Sequence, residues 1–132
     1  AVNTAQKARM VDKIAQALDG SVADKSIAVL GLTFKPETDD MRDAPALTIL
    51  PALLAQGARI RAHDPVGMDE ARRELPPAIE YADTIDDAVR DADAIVLMTE
   101  WNQYRGLDLA RLRAQMRGNV FIDLRNVYER HT

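Results

Sequence analysis

The most constraining feature of the sequence is a short run, residues 27–30, in which every position is apolar. The run reads IAVL, so neither of its two faces carries a polar side chain. A strand with one wet face alternates apolar and polar residues, whereas a parallel strand covered by helices on both faces is apolar throughout. The run therefore predicts an interior strand of a parallel sheet. Residues 94–98, AIVLM, predict a second one.

The rest of the chain alternates helix and strand patterns. Strands are predicted at residues 26–30, 59–62, 79–82, 93–99 and 120–124. Helices are predicted at residues 3–19, between Asp43 and Gly57, at 68–75, from Thr84 onward and at 108–117. Thr84 followed by Asp87 predicts a side-chain cap, similar to a capping box, at the start of the fourth helix. Such alternation specifies an α/β fold with an open, doubly wound parallel sheet, Rossmann-like, with helices on both faces. An N-terminal helix precedes this sheet.

Three of these helices carry testable details. The first has an apolar stripe, which Gly20 is predicted to end as a C′ residue. It is either a plain N-terminal helix lying on the sheet or the tail of a longer helix in a larger protein. The second contains Pro51, which predicts a kink or a local break. The helix from Asp108 is predicted to turn Leu109, Leu112 and Met116 inward.

A charged loop follows the first strand. From Gly31 to Asp43 the sequence shows no apolar periodicity, yet it holds two cations, Lys35 and Arg42, and four carboxylates. A loop of about a dozen residues without regular structure is uncommon inside a compact domain and is usually functional or disordered. The fixed positions of lysine, arginine and proline favour function.

Ligands of doubly wound sheets bind outside the carboxyl ends of the strands, near the point where the strand order reverses. The loops at those ends are residues 31–44, 63–67, 99–106 and 125–128. They offer four cations and two flat aromatic side chains, namely Lys35, Arg42, Arg105, Arg125, Trp101 and Tyr104. Cations can bind phosphate, and aromatic rings can face a base or a sugar. Together, these side chains suit a nucleotide ligand.

Several other kinds of site are disfavoured. Neither glycine-rich phosphate cradle, G-x-G-x-x-G or G-x-x-x-x-G-K-[ST], is present, so side chains would have to hold phosphate. The loop acids could suggest magnesium, but beside Lys35 and Arg42 they are more often a self-paired loop. His63, at a strand end, is expected to be structural. Asp123 and Arg125 share a strand face, and an internal ion pair between them stays an alternative to ligand binding.

Composition narrows the function further. A net charge of -4 without a basic cluster argues against nucleic-acid binding. The apolar runs are too short to cross a membrane. The chain has no cysteine, which rules out disulfides and a cysteine nucleophile within it. The lack of cysteine also fits a reducing compartment, so a cytoplasmic location is expected.

The motif GLTFKPETDDMRDAP at 31–45 resembles the signature of a known family of enzymes. It is similar to the UDP-binding, C-terminal domain of the UDP-glucose/GDP-mannose dehydrogenases, and FKPETDD favours members that use UDP-glucose. The similarity continues in AHDPVGM at 62–68, TEWNQYRGLD at 99–108 and FIDLRNVYE at 121–129. It therefore extends over nearly the whole chain from residue 26.

The resemblance implies roles for four side chains. Phe34 and Lys35 match the pair that contacts the nucleotide-sugar in the family. Arg125, in the DLRN run, matches an arginine that contacts the same ligand, in some members from the neighbouring subunit. Arg42 matches the arginine that reaches the NAD bound by the amino-terminal domain. The resemblance implies no catalytic residue and no metal ligand in this chain.

The family oxidises the sugar C6 hydroxyl to a carboxylate with two NAD and a cysteine. Without that cysteine or an NAD motif, this chain is expected to bind but not to oxidise. Residues 1–20 are expected to be the end of a central dimerisation helix, and residues 21–132 a UDP-sugar-binding Rossmann-like domain. Expected partners are UDP-glucose or a related nucleotide-sugar, the N-terminal NAD-binding domain of the same enzyme, and further copies in a homodimer or higher homo-oligomer.

Alternatives stay open at this point. The same domain could come from a UDP-N-acetylmannosamine or GDP-mannose dehydrogenase. A stand-alone nucleotide-sugar-binding module could instead regulate or partner another protein without chemistry. A receiver-like signalling domain would need an aspartate at the end of a middle strand, and the strand ending Leu97, Met98, Thr99 offers none.

Overall fold

Five parallel strands form one sheet with helices on both faces. The computed structural model describes residues 4–32, 46–98 and 108–124. In these ranges the strands are β1 (Ser26–Leu30), β2 (Arg59–His63), β3 (Glu80–Tyr81), β4 (Ala94–Leu97) and β5 (Val120–Asp123). The helices are α1 (Thr4–Ala17), α2 (Ala46–Ala55), α3 (Met68–Glu74), α4 (Ile85–Val89) and α5 (Leu109–Gln115). The sheet order is β3-β2-β1-β4-β5, which confirms the predicted doubly wound α/β fold.

The central strand β1 is buried on both faces, as its sequence predicts. Ile27 and Val29 join a core that includes side chains of α1, α2 and α3, whereas Ala28 and Leu30 join a second core that includes side chains of α4 and α5. None of the four is more than 1% exposed. Because burying one large aliphatic side chain stabilises a fold by about 1.5–3 kcal/mol, this strand anchors both layers.

The order of the strands reverses between β1 and β4. The chain first moves outward from β1 to β2 and then to β3, with α2 and α3 on one face. It then returns past β1 to β4 and continues to β5, with α4 and α5 on the other face. The neighbouring strands β1 and β4 are therefore followed by helices on opposite faces of the sheet, which is the arrangement of a ligand-binding switch point.

The first two helices end as left-handed turns. The apolar stripe of α1 is buried as predicted, but Asp19 (φ 64°) and not Gly20 takes the C′ position. Gly20 is the next residue, and its N–H donates to the Ala15 carbonyl at 2.8 Å. Helix α2 runs through Pro51 without a break to Ala55, and Gly57 (φ 96°) forms the left-handed turn after it, where the Ala58 N–H donates to the Leu53 carbonyl.

Side-chain caps begin the two helices of the other face. The Thr84 hydroxyl accepts a hydrogen bond from the Asp87 N–H at 3.0 Å, which confirms the predicted cap, and Asp108 caps α5 in the same way. Leu112 is buried as predicted. Leu109, the first residue of α5, is 38% exposed, so its predicted inward position is wrong. None of the helices in the three described ranges is long and apolar enough to span a bilayer.

A carboxylate joins three segments at the amino edge of the sheet. Asp93 precedes β4, and its Oδ2 accepts a hydrogen bond from the N–H of Ser26, the first residue of β1, at 2.8 Å. Its Oδ1 accepts from Arg117 Nε at 2.9 Å. A Cβ on Gly118 would lie 2.3 Å from the Asp93 carbonyl oxygen, so only glycine fits this turn before β5. The hydrogen bonds to Arg117 lower the pKa of Asp93, and the Ser26 N–H lowers it further, against the opposing effect of burial.

Replacing Asp93 by Asn should lower the melting temperature at neutral pH by a few degrees, because the variant loses the charged pair with Arg117. A carboxyl group whose pKa is lowered by folding stabilises the fold at pH values above its pKa in the unfolded chain, which is near 4. This stability is lost as the pH falls through the pKa in the folded protein. The difference between wild type and Asp93→Asn should therefore shrink below about pH 4. Thermal unfolding followed by circular dichroism from pH 7 to pH 3 measures it. A difference that stays constant over this range would contradict the assignment.

Candidate functional site

The ends of four strands lie side by side at the carboxyl edge of the sheet. Leu30 pairs with His63 on one side and with Leu97 on the other, and Leu97 pairs with Asp123. The last residues of β2, β1, β4 and β5 therefore form one row. Every loop that the sequence marks as a ligand-binding candidate starts from this row.

The sheet's hydrogen bonding continues one residue beyond the row. Gly31 N donates to the His63 carbonyl at 2.8 Å, Met98 N to the Leu30 carbonyl at 2.9 Å and Leu124 N to the Leu97 carbonyl at 2.9 Å. Leu32 and Leu124 then lie in the core, with at most 1% exposed. The chain after β1 and after β5 is thus held by a backbone hydrogen bond and a buried side chain where it leaves the sheet.

All four predicted site residues lie outside the described residues. Phe34, Lys35 and Arg42 belong to the segment 33–45, and Arg125 comes directly after Leu124. The other candidates of the edge, Trp101, Tyr104 and Arg105, also lie outside them. Their roles stay predictions, but the described structure brings the points from which their loops start to one edge. The ion pair proposed as an alternative, between Asp123 and Arg125, is likewise untested.

A buried carboxylate at this edge holds two of the loops. Asp64 follows β2 directly and is fully buried. Its Oδ2 accepts a hydrogen bond from the Leu32 N–H at 2.8 Å. Its Oδ1 accepts from the N–H groups of Val66 at 3.0 Å and Gly67 at 2.6 Å. The carboxylate therefore fixes the exit of the chain from β1 and the turn that leads into α3.

His63 lies beside this carboxylate as the last residue of β2. Its side chain is only 3% exposed. Burial lowers the pKa of His63, and this effect exceeds the opposing influence of the Asp64 and Asp83 carboxylates. A buried imidazole that resists protonation at a strand end agrees with the structural role expected from the sequence.

A cavity of about 300 Å³ opens at the opposite, amino edge, and four arginines line it: Arg59, Arg61, Arg90 and Arg117. Their charges already have partners within the fold. Arg61 donates to the carbonyl oxygens of Asp87 and Arg90 at the end of α4, and Arg59 donates to the Asp24 carbonyl. Arg90 and Arg117 pair with Asp87 and Asp93. Arginine side chains commonly donate hydrogen bonds to the unpaired carbonyl oxygens at helix C-termini in this way. Because these arginines have partners within the fold, the cavity does not indicate a ligand site.

The described residues do not form a dinucleotide cradle. In dinucleotide-binding folds, a glycine-rich turn after the first strand presents free N–H groups to the pyrophosphate. Here one glycine follows β1, and the next N–H, on Leu32, is bonded to Asp64. The first two residues after β1, Gly31 and Leu32, therefore offer no free N–H group to a pyrophosphate.

Comparison with known proteins supplies the family. The sequence model of the UDP-glucose/GDP-mannose dehydrogenase family, UDP binding domain, matches residues 28–130. The chain belongs to this family. This confirms the resemblance carried by the motif at 31–45, and the matched range contains all four strand ends of the carboxyl edge.

Relatives of this UDP-binding domain are longer proteins. The UDP-glucose 6-dehydrogenase of Rhizobium meliloti is 45% identical over 130 residues, which are 98% of this chain and 30% of the relative. YwqF of Bacillus subtilis, also a UDP-glucose 6-dehydrogenase, is 45% identical over 127 residues, 96% of this chain and 29% of the relative. A UDP-glucose dehydrogenase structure from Pyrobaculum islandicum superposes with a TM-score of 0.74 at 32% identity, covering 89% of this chain and 26% of that one. The chain thus spans about 30% of the length of these curated relatives.

The sequence prediction missed Asp64 as a residue of the site's framework. The available signal was an aspartate directly after a strand, followed by Pro65 and, two positions later, by Gly67, which is typical of a turn in which the side chain accepts backbone hydrogen bonds. That signal predicts the local contacts with Val66 and Gly67. The contact with Leu32 joins residues that are far apart in sequence and becomes visible only in the folded chain.

The lowered pKa of His63 predicts that the UDP-binding domain loses stability in mild acid. The unfolded chain binds a proton at this residue more readily than the folded chain does, so stability should fall as pH drops below about 6.5. His63→Gln should weaken this dependence between pH 7 and pH 5. Denaturant unfolding at several pH values measures it, with His131→Gln, at the only other histidine, as the control. An unchanged pH dependence in His63→Gln would contradict the assignment.

Proposed function

We propose that this chain is the nucleotide-sugar-binding, C-terminal domain of an NAD-dependent UDP-glucose 6-dehydrogenase, which oxidises UDP-glucose to UDP-glucuronate in the cytoplasm. The observation that carries the proposal is the match of the family's UDP-binding domain over residues 28–130. The row of four strand ends supports it, because it gathers the loops that bear the expected ligand-binding side chains at the switch point.

The choice of UDP-glucose rests on the degree of similarity. The two bacterial UDP-glucose 6-dehydrogenases are 45% identical to this chain. A structure named as a UDP-D-ManNAc dehydrogenase, from Pyrococcus horikoshii, is 27% identical with a TM-score of 0.70, covering 93% of this chain and 27% of that one. The fold is shared by the UDP-glucose and the UDP-D-ManNAc dehydrogenases. The higher sequence identity to the UDP-glucose enzymes favours glucose as the sugar.

The proposed roles follow the loops of the carboxyl edge. Phe34 and Lys35 contact the nucleotide-sugar from the loop after β1, and Arg125 contacts it from the loop after β5. Arg42 reaches the NAD held by another domain of the same enzyme. Lysine and arginine suit these roles because the chain lacks a glycine-rich phosphate cradle, so charged side chains must hold the diphosphate.

The proposal separates binding from chemistry. The chain contains no cysteine to carry the oxidation and no G-x-G-x-x-G motif to hold NAD. It should therefore bind UDP and leave UDP-glucose unoxidised, even when NAD is added. In the full-length enzyme, α1 would be the end of a central helix, and the enzyme would form a homodimer or a higher homo-oligomer.

UDP should stabilise the isolated chain. A ligand that binds only the folded state adds about 2.7 kcal/mol when its concentration is about 100 times its Kd, which raises the melting temperature by several degrees. Thermal unfolding with millimolar UDP measures the shift, and GDP at the same concentration is the control for base selectivity. If UDP produces no shift, the proposed ligand is wrong. An equal shift with GDP would instead favour the GDP-sugar branch of the family.

Arg125→Met should weaken UDP-glucose binding and leave the fold nearly as stable as wild type. Losing one charge-assisted hydrogen bond costs about 1.5–3 kcal/mol, which corresponds to a Kd roughly 10 to 100 times higher. Isothermal titration calorimetry measures the Kd, and thermal unfolding measures the stability.

The control for this variant is Arg113→Met, which removes an exposed arginine on α5, away from the carboxyl edge. It should leave both quantities unchanged. If Arg125 instead pairs with Asp123 inside the protein, Arg125→Met would lose stability because a carboxylate is left unpaired, while the UDP-glucose Kd would stay the same.

A further inference from the structure

The hydrogen bonds of Asp64 join two loops of the proposed site. Leu32 and Asp64 are 32 residues apart in sequence, and the bond between the Leu32 N–H and Asp64 Oδ2 is 2.8 Å long. The preceding N–H, on Gly31, donates to the His63 carbonyl. Two consecutive N–H groups after β1 are therefore held by two consecutive residues at the end of β2.

This double attachment determines how the chain leaves the sheet. A single hydrogen bond lets the following residue rotate, whereas two in succession fix the orientation of the intervening peptide. Phe34 and Lys35 follow Leu32 by two and three residues. The two side chains proposed to contact the nucleotide-sugar are therefore attached, close in sequence, to a point where the backbone is fixed.

The charge and shape of the aspartate suit this task. A carboxylate has two oxygens that only accept, and both are used here: one by the distant Leu32, the other by the local turn at Val66 and Gly67. An asparagine would turn an NH₂ group toward one of these donors. Either the distant or the local N–H groups would then face a donor in a fully buried place, which is unfavourable.

We infer that Asp64 is a positioning residue for nucleotide-sugar binding: through the Leu32 N–H it sets the orientation of the loop that carries Phe34 and Lys35. This inference rests on the proposed function. Asp64 acts through the backbone and does not itself touch the ligand, since its carboxylate oxygens are occupied by N–H groups inside the protein.

A purely structural role would affect stability alone, so the experiment compares two buried aspartates. Asp64 accepts a hydrogen bond from an N–H just after β1 at the carboxyl edge, and Asp93 accepts one from the first N–H of β1 at the amino edge. Asp64→Asn and Asp93→Asn should both lower the melting temperature. Only Asp64→Asn should raise the UDP Kd, by about tenfold. In metal sites, removing a residue that holds a metal ligand in place weakens metal binding by about 10- to 100-fold, and the expected effect is at the lower end of that range.

A second variant separates the distant contact from the local turn. Asp64→Ser keeps a side-chain oxygen for the Val66 and Gly67 N–H groups, because serine forms such turns as well, but its shorter side chain does not reach Leu32. It should raise the UDP Kd as Asp64→Asn does. Calorimetry at a temperature where each variant is folded gives the Kd values without a contribution from unfolding.

The outcomes separate this inference from the proposed function. A wild-type chain that does not bind UDP overturns the proposed function, and this inference with it. A wild type that binds UDP while Asp64→Asn and Asp64→Ser keep its Kd overturns this inference alone. If neither variant folds, NMR of the wild type decides: UDP should shift the amide signal of Leu32 but not that of Ser26. An unshifted Leu32 signal would overturn the inference.

Discussion

The burial of β1 on both faces is the constraint on which the rest of this structure depends. A strand whose two faces are both apolar needs helices above and below it to cover its side chains. It also needs a hydrogen-bonded strand on each side, because its buried backbone groups cannot bond to water. β2 and β4 supply those neighbours, in parallel and in register. The reversal of strand order next to β1 follows, since the chain must leave in one direction and return in the other. The position of the proposed ligand-binding edge is thus a consequence of how the central strand is covered.

Both ends of β1 pose the same physical problem and have the same solution. Where the ladder stops, buried N–H groups lose their strand partners, and an unpaired buried N–H is costly. Asp93 accepts the N–H of Ser26 at the amino edge, and Asp64 accepts the N–H of Leu32 at the carboxyl edge. Each carboxylate also bonds a second segment of the chain. The two aspartates therefore close the ladder and, at the same time, fasten a turn to it.

The sequence was sufficient for the architecture because the fold depends on repeated patterns. The apolar runs of β1 and β4, the stripe of α1 and the cap at Thr84 all gave correct elements. The predictions were wrong at positions where a single residue determines the local structure. Asp19 takes the left-handed position next to Gly20, and Leu109, the first residue of α5, is exposed. Asp64 was missed as a holder of loops because hydrogen bonds between distant segments leave no periodic trace in the sequence.

The kind of phosphate recognition open to this fold follows from the same contacts. A glycine-rich cradle holds phosphate with backbone N–H groups, so the loop itself is the rigid part of the site. Here the first such N–H after Gly31 is directed inward to Asp64. The proposed recognition uses long side chains, lysine and arginine, which lose conformational freedom when they bind. That loss is tolerable only if their attachment points are already fixed, so a domain that binds phosphate with side chains has reason to hold its loops by buried carboxylates.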